Sequence, residues 1–341
     1  MSNVSFQLPL LDLPERGMKR VLQQLDLNHL LTFSFISQQA KNAVASLKHL
    51  HPYQIIINIS EGITLKFVCR VKGKAKLHKF EIFKKPPCVI TPDTTVLPVP
   101  VVAEVFENYT GGVTPFSSSK KNFGLKEYLE HLFGIFKCEN KTELGFDTPF
   151  VLSHSVLLTG RQDVLPAEPI YEAFKNVHIG RISIRTRFHE QLIKRFLPKA
   201  DVYVIWREHP FNKQFLRTIL IQNLTKFEIH GINAQYAITL DDLLLINSSY
   251  IMITTEFNEK DLNTFFRSWQ FGSNPRLRRL IINFISPTKI NEELALKGTK
   301  FQNCTRFFGF PGDYKIQHVD GISAEIIFRC DYHGISMYVI D

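Results

Sequence analysis

From about residue 177 to 286 the chain alternates short strand-like runs with helix-like segments. No other feature limits its possible folds as much. The strand-like runs are Ile182–Ile184, Val202–Ile205, Phe227–Ile229, Ile251–Ile253 and Leu280–Ile282. Between them lie HEQLIKRFL, FNKQFLRTIL, TLDDLLLI and EKDLNTFFRSW. A strand plus a helix roughly every 20 to 29 residues is the period of leucine-rich-type repeats. The ladder of Leu and Asn that marks regular repeats is not obvious, so the expected repeat is irregular. Stacked units of this kind give a parallel sheet on one side and helices on the other. Leu243, Leu244, Phe265, Phe266 and Trp269 are the expected core of the repeat. Asp241 and Asp242 are neighbours, so a helix would not point them at a common atom. They suit a helix start, where acidic groups meet the positive end of the helix dipole.

Antiparallel strands are expected on both flanks. Ile55, Ile57 and Ile59 alternate with other residues, and LKFVCRV and KLHKFEIF follow after turns at Glu61-Gly62 and Lys72-Gly73. Residues 84 to 124 are rich in Pro, Thr, Ser, Gly and Val, which reads as loops with one strand, VVAEVF. Residues 125 to 138 have the spacing of an amphipathic helix. After the repeat the chain ends in YKIQHV, SAEIIFRC and ISMYVI, with turns at Asp320-Gly321 and His333-Gly334.

Composition narrows the function. Apolar residues make up 44% of the 341 residues and charged residues 21%, enough for a sizeable core. The 29 Phe residues serve a Phe-rich core or partner contacts. The net charge of +9 favours solubility and attracts anions without specificity. Its two clusters are Lys72, Lys74, Lys76 and Lys79, and Arg276, Arg278 and Arg279. Neither is interleaved with aromatics as in nucleic-acid motifs, and solvated surface is the simpler reading. Cys69, Cys88, Cys138, Cys304 and Cys330 are odd in number and far apart, with no C-x-x-C. Neither a disulfide framework nor a zinc site is expected. There is no signal-peptide pattern at the start and no apolar run of membrane-spanning length. The cytoplasm or nucleus is the expected setting, so N-x-S/T triplets such as Asn108 to Thr110 are chance. No nucleophile elbow, phosphate-binding glycine loop, dinucleotide fingerprint or H-E-x-x-H occurs. His49 and His51 lack a third ligand, so no metal site is assigned. No cofactor and no catalytic residue is expected.

The first fifty residues carry a different pattern. Leu13-Pro14 opens a helix in which Met18, Val21, Leu22 and Leu25 form one apolar face. Proline suits a first helical turn because its missing N–H would have no partner there. Gly17 weakens this helix by about 1 kcal/mol relative to Ala. Asp26 or Asn28 caps a second helix with Leu30, Leu31 and Phe33. Ser37 caps a third, with Ala40, Val44 and Leu47 facing inward. Units this small rarely fold alone without disulfides, metals or partners. Leu8, Leu10, Leu11, Leu13, Leu27, Phe33, Phe35 and Ile36 exceed what a three-helix core hides. They pack on the rest of the chain or fill a groove on another protein.

This register resembles an F-box. Leu13-Pro14, Val21-Leu22, Leu25-Asp26, Leu30 and Ile36-Ser37 fall on its pattern without a gap. Leu27 stands where the family often has Pro, and Ala40 where a Trp is common. The resemblance implies docking to a Skp-type adaptor and, through it, to a cullin. It assigns the contact to Leu11, Leu13, Pro14, Val21, Leu22, Leu25, Leu30, Phe33 and Ile36. The later region resembles the type-2 F-box-associated domain of a family expanded in nematodes. Thr239 to Asn247, Asp261-Leu262-Asn263, Phe265-Phe266, Ser268-Trp269 and Asn274-Pro275-Arg276-Leu277 carry that likeness.

The expected fold class is therefore α+β. A three-helix F-box spans 6–50. An F-box-associated domain spans 51–341, with an irregular leucine-rich-repeat-like β/α region and flanking antiparallel strands. The implied function is non-catalytic: a substrate receptor that brings an unknown protein target to a ubiquitin ligase. The alternative is a scaffold or nucleic-acid-binding protein with a vestigial F-box.

Overall fold

A computed structural model describes the chain except residues 1–9, 61, 72–73, 83–102, 108–122, 138–141, 148–166, 186–189, 207–212, 232–237, 286–289, 305–312, 330–333 and 341. Its contacts divide into two compact units. One comprises residues 1–144 and 149–178, the other residues 145–148 and 179–341. Leu8, Cys88, Cys138, Cys330, Lys72 and the Asn108–Thr110 triplet lie outside the described residues.

The first unit begins with three short helices, α1 (Glu15–Leu22), α2 (Leu27–Ser34) and α3 (Gln38–Ala45). Their starts follow local chemistry. Pro14 holds the N-cap of α1 in extended geometry, one residue earlier than the expected first helical position. Asp26 caps α2, accepting from the His29 N–H at 2.9 Å, and Ser37 caps α3, accepting from the Ala40 N–H at 3.1 Å.

An antiparallel meander follows: β1 (Pro52–Ile59), β2 (Ile63–Val71), β3 (Lys74–Ile82) and β4 (Ala103–Glu107). Its period of two is strict. Ile55, Ile57 and Ile59 of β1, and Ile63, Leu65, Phe67 and Cys69 of β2, are all buried. Helix α4 (Leu125–Phe136) covers this face. The Phe136 ring stacks on Phe67 at 4.2 Å and meets Phe80 edge-on at 5.6 Å. The helix begins with the Glu127 carboxylate accepting from the Gly124 N–H at 2.9 Å, and it ends at Lys137 in left-handed geometry, φ 44°. Next come β5 (Thr142–Phe146), part of which belongs to the second unit, and α5 (Ala167–Phe174).

The second unit holds the alternation. In chain order it runs β6 (Ile179–Ile184), α6 (Glu190–Phe196), β7 (Val202–Trp206), α7 (Lys213–Leu220), β8 (Leu224–His230), α8 (Leu240–Leu245), β9 (Ser248–Thr255), α9 (Glu259–Gln270) and β10 (Arg279–Phe284). The five strands are parallel and lie side by side in chain order. After α10 (Glu292–Ala295) come β11 (Phe301–Cys304), β12 (Asp313–Gln317), β13 (Ser323–Arg329) and β14 (Gly334–Ile340), all antiparallel. Strand β14 returns to pair with β10, and β11 ends the sheet.

Register explains the core. Ile182, Tyr203, Phe227, Ile251, Leu280 and Met337 align across six strands, and each is fully buried. The helices lie on this side. The Tyr203 hydroxyl donates to the Leu197 carbonyl, just past α6, at 2.7 Å. Burial pushes its pKa upward, so it stays a neutral donor. Leu243, Phe265, Phe266 and Trp269 are buried in the core of this unit, while Leu244 is half-exposed. Asp242 sits in the first turn of α8 and accepts from the Thr239 N–H and hydroxyl, at 3.2 and 2.7 Å. Helix α10 and strand β11 escape the sequence pattern, since four residues are too few to show a period and β11 has no buried alternation.

Candidate functional site

In the first unit the three N-terminal helices are tied to α4. The Ser34 hydroxyl donates its one proton to the Leu31 carbonyl at 2.6 Å. His131 Nε2, 2.9 Å from the same oxygen, must therefore be the donor there. The Phe35 ring stacks on His131 at 4.0 Å and meets Phe123 and Tyr128 edge-on at 5.7 and 5.9 Å. Lys41 Nζ donates to the Glu130 carbonyl at 3.4 Å. Helix α4 thus serves two partners, with phenylalanines on the meander and His131 and Tyr128 on the N-terminal helices.

This arrangement sorts the surplus apolar residues. Leu22 and Leu30 are each 1% exposed, and Leu27 and Leu31 are also buried. They hold the helices together rather than offering surface. Phe35 packs on α4. Leu10, Leu11, Leu13, Leu25 and Phe33 are half-buried, and Pro14 is exposed. Val21 is 41% exposed and Ile36 68%. These two aliphatic side chains and the half-buried leucines are the apolar surface that the helices leave uncovered. Ala40 is fully buried. The His51 ring donates to the Ala45 carbonyl at 3.2 Å, while the side chain of His49 lies outside the described residues.

In the second unit the sheet face away from the helices is polar and aromatic. Arg181, Val202, Lys226, Tyr250, Arg279 and Tyr338 align across it, all half-exposed. Lys226 lies over the Tyr250 ring at 4.6 Å, and Arg279 lies over Tyr250 and Tyr338 at 5.3 and 4.9 Å. Arg279 and Arg329 each donate to the Tyr338 hydroxyl at 3.3 Å. Burial alone would raise the Tyr338 pKa, but the two arginines and Ser336 outweigh it and bring it below the ordinary phenol value. Glu228, 6% exposed, lies between Lys226 at 2.7 Å and His230 at 3.2 Å. Burial would push its carboxyl up, but the bonds from His230 and Lys226 prevail and hold it at about 2. The His230 ring stacks on Trp206 at 4.5 Å, with the Arg185 guanidinium over that indole at 5.1 Å.

The sequence missed this face because its members are scattered over six strands. Only strand register brings them together. It also divides one basic cluster. Arg279 joins the aromatic face, while Arg276 is exposed and reaches the Asn247 carbonyl at 3.5 Å. Among the described residues no group of three or more His, Cys, Asp or Glu could hold a metal ion. No described helix is long and apolar enough to cross a membrane.

Comparison with known proteins agrees with both parts. Residues 10–51 match the F-box domain family, and residues 215–282 match the family described as F-box associated. Along 98% of its length the chain is similar to the F-box associated domain-containing protein sdz-33 of Caenorhabditis elegans. The two are 22% identical, and the match covers 97% of that relative. No solved structure matches.

Proposed function

From a chain that carries an F-box domain and an F-box-associated domain, we propose a substrate-recognition subunit of a Skp/cullin/F-box ubiquitin ligase. The F-box docks to the Skp-type adaptor, and the adaptor links the chain to the cullin. Leu11, Leu13, Pro14, Val21, Leu25, Phe33 and Ile36 form the docking surface, with Leu22 and Leu30 holding the helices beneath it. The second unit binds the protein target. Its five parallel strands start at residues 179, 202, 224, 248 and 279, and we read them as irregular leucine-rich-repeat-like units. The chain performs no chemistry on its target, since ubiquitin transfer takes place elsewhere in the assembly.

The observation that carries this reading is the match of residues 10–51 to the F-box domain family, on helices that leave Ile36 and Val21 exposed. Co-expression with a Skp-type adaptor tests it. A stable complex that survives size-exclusion chromatography is expected, and failure to co-elute at micromolar concentrations would overturn the docking assignment.

A further inference from the structure

The described exposed large hydrophobics are few, and three of them gather at one place in the second unit. Phe271 is 80% exposed, Val319 67% and Phe301 44%. Together they line a groove of about 950 Å³ beside β11, β12 and the end of α9. Arg267, Lys300 and Lys315 line the same groove, and none of its described lining residues is a carboxylate. Its walls are braced by one amide. Gln270 Nε2 donates to the Lys300 carbonyl at 3.0 Å and to the Gln317 carbonyl at 3.3 Å. His318, buried against the Trp269 ring at 5.0 Å, also lines the groove, and its Nε2 has no hydrogen-bond partner. Its other ring nitrogen lies 3.3 Å from the Asp320 carboxylate, which is outside the lining.

We propose that this groove binds a segment of the target protein in which acidic and apolar side chains mix. The inference rests on the receptor reading above and adds the chemistry of what is received. The choice of occupant follows from charge. Three cations without a lining carboxylate repel a basic segment and attract an acidic one. Phe271, Val319 and Phe301 lose exposed apolar surface only if the occupant also brings apolar side chains. A purely acidic chain would leave them in water, and a purely apolar one would leave the cations unmatched.

The test uses the full chain without adaptor, so it does not depend on F-box docking. Fluorescence anisotropy is measured with three labelled peptides of equal length. One alternates Glu with Leu and Phe, one alternates Glu with Ser, and one alternates Lys with Leu and Phe. The first is expected to bind at least about tenfold tighter than the other two. Arg267→Glu with Lys300→Glu should weaken it about tenfold or more, and Phe271→Ser with Val319→Ser by a similar factor. All four positions are exposed, and an unchanged melting temperature certifies the variants. Equal binding of the Glu/Ser peptide would reduce the site to general charge attraction and overturn the proposal. So would binding that both double variants leave unchanged. Self-association of the chain that Phe271→Ser with Val319→Ser abolishes would assign the groove to a second copy instead.

Discussion

Removing the exposed pair Val21 and Ile36 separates docking from folding. Fully burying an aliphatic side chain of this size is worth ~1.5–3 kcal/mol. Val21 is 41% exposed and Ile36 68%. Only those fractions remain to be gained when a partner covers them, which gives ~1 kcal/mol for Val21 and ~1.5 kcal/mol for Ile36. Val21→Ser with Ile36→Ser should therefore weaken adaptor binding by ~2.5 kcal/mol, a rise in Kd of ~70-fold. Ile36 adds little to the isolated fold because most of it is already wet, whereas more than half of Val21 is covered, so Val21→Ser also costs the fold about 1 kcal/mol. Buried Leu22 is the instructive contrast. Leu22→Ala would lose ~2–5 kcal/mol of stability, so a lost complex would report unfolding as readily as lost contact. Kd is measured by titration calorimetry against purified adaptor, with melting temperatures for both proteins. A double variant that stays folded at the assay temperature and binds within about twofold of the parent would refute the assignment of this surface.

Three further outcomes test the packing. Glu228 lies near pKa 2, below its ordinary 4.5, so its stabilising contribution is complete above about pH 4.5 and is lost as pH falls toward 2. That displacement would be worth ~3 kcal/mol at full weight, and screening at half-exposed Lys226 and His230 reduces it to ~1–2 kcal/mol. Glu228→Gln should melt lower than the parent at neutral pH, with the gap narrowing as pH drops below about 4.5. A gap that stays constant with pH would count against the charged pairing. At Gly334, an added Cβ would lie 2.6 Å from the Ile282 carbonyl oxygen. Gly334→Ala should cost ~1–3 kcal/mol in urea unfolding, and an unchanged midpoint would contradict the close approach of β10 and β14. Ala40→Trp restores the residue common in F-boxes at a fully buried position, and a loss of ~1–3 kcal/mol is expected from overpacking. A variant as stable as the parent would show that room exists there.

Much of the fold was legible where a period or a cap fixes structure locally. Asp26 and Ser37 cap α2 and α3 as short polar side chains before apolar runs do. The isoleucines of β1 alternate in burial as they alternate in sequence. The five strand-like runs of the repeat became five neighbouring parallel strands. The burial of the F-box positions was only half legible. The F-box register selects positions, but not which of them the same chain covers. Leu22 and Leu30 vanish into the helices, whereas Ile36 stays out. The aromatic face and the groove were not legible at all. Arg279 meets Tyr250 and Tyr338 through strand pairing, and Phe271 meets Phe301 and Val319 around a groove. Residues so far apart in sequence are joined by tertiary structure alone.

Ala40 lies on a helix of small buried residues that packs against α4. A Trp in the third helix would bring a large ring to a small module. Here the module keeps small residues at buried positions of α3, Ala40, Ala43 and Ala45, and another helix comes close. Lys41 Nζ reaches the Glu130 carbonyl, and Lys41 Cε would be 2.8 Å from a Cβ added at Gly134. Small side chains permit that approach, and the rings of Phe35, Phe123, Tyr128 and His131 supply bulk from the neighbouring elements. It follows that these helices are not a freestanding cassette. Cutting the chain after Leu50 would strip α4 from Ser34 and Phe35 and expose their buried surface, so a docking test needs the whole first unit and not its first fifty residues alone.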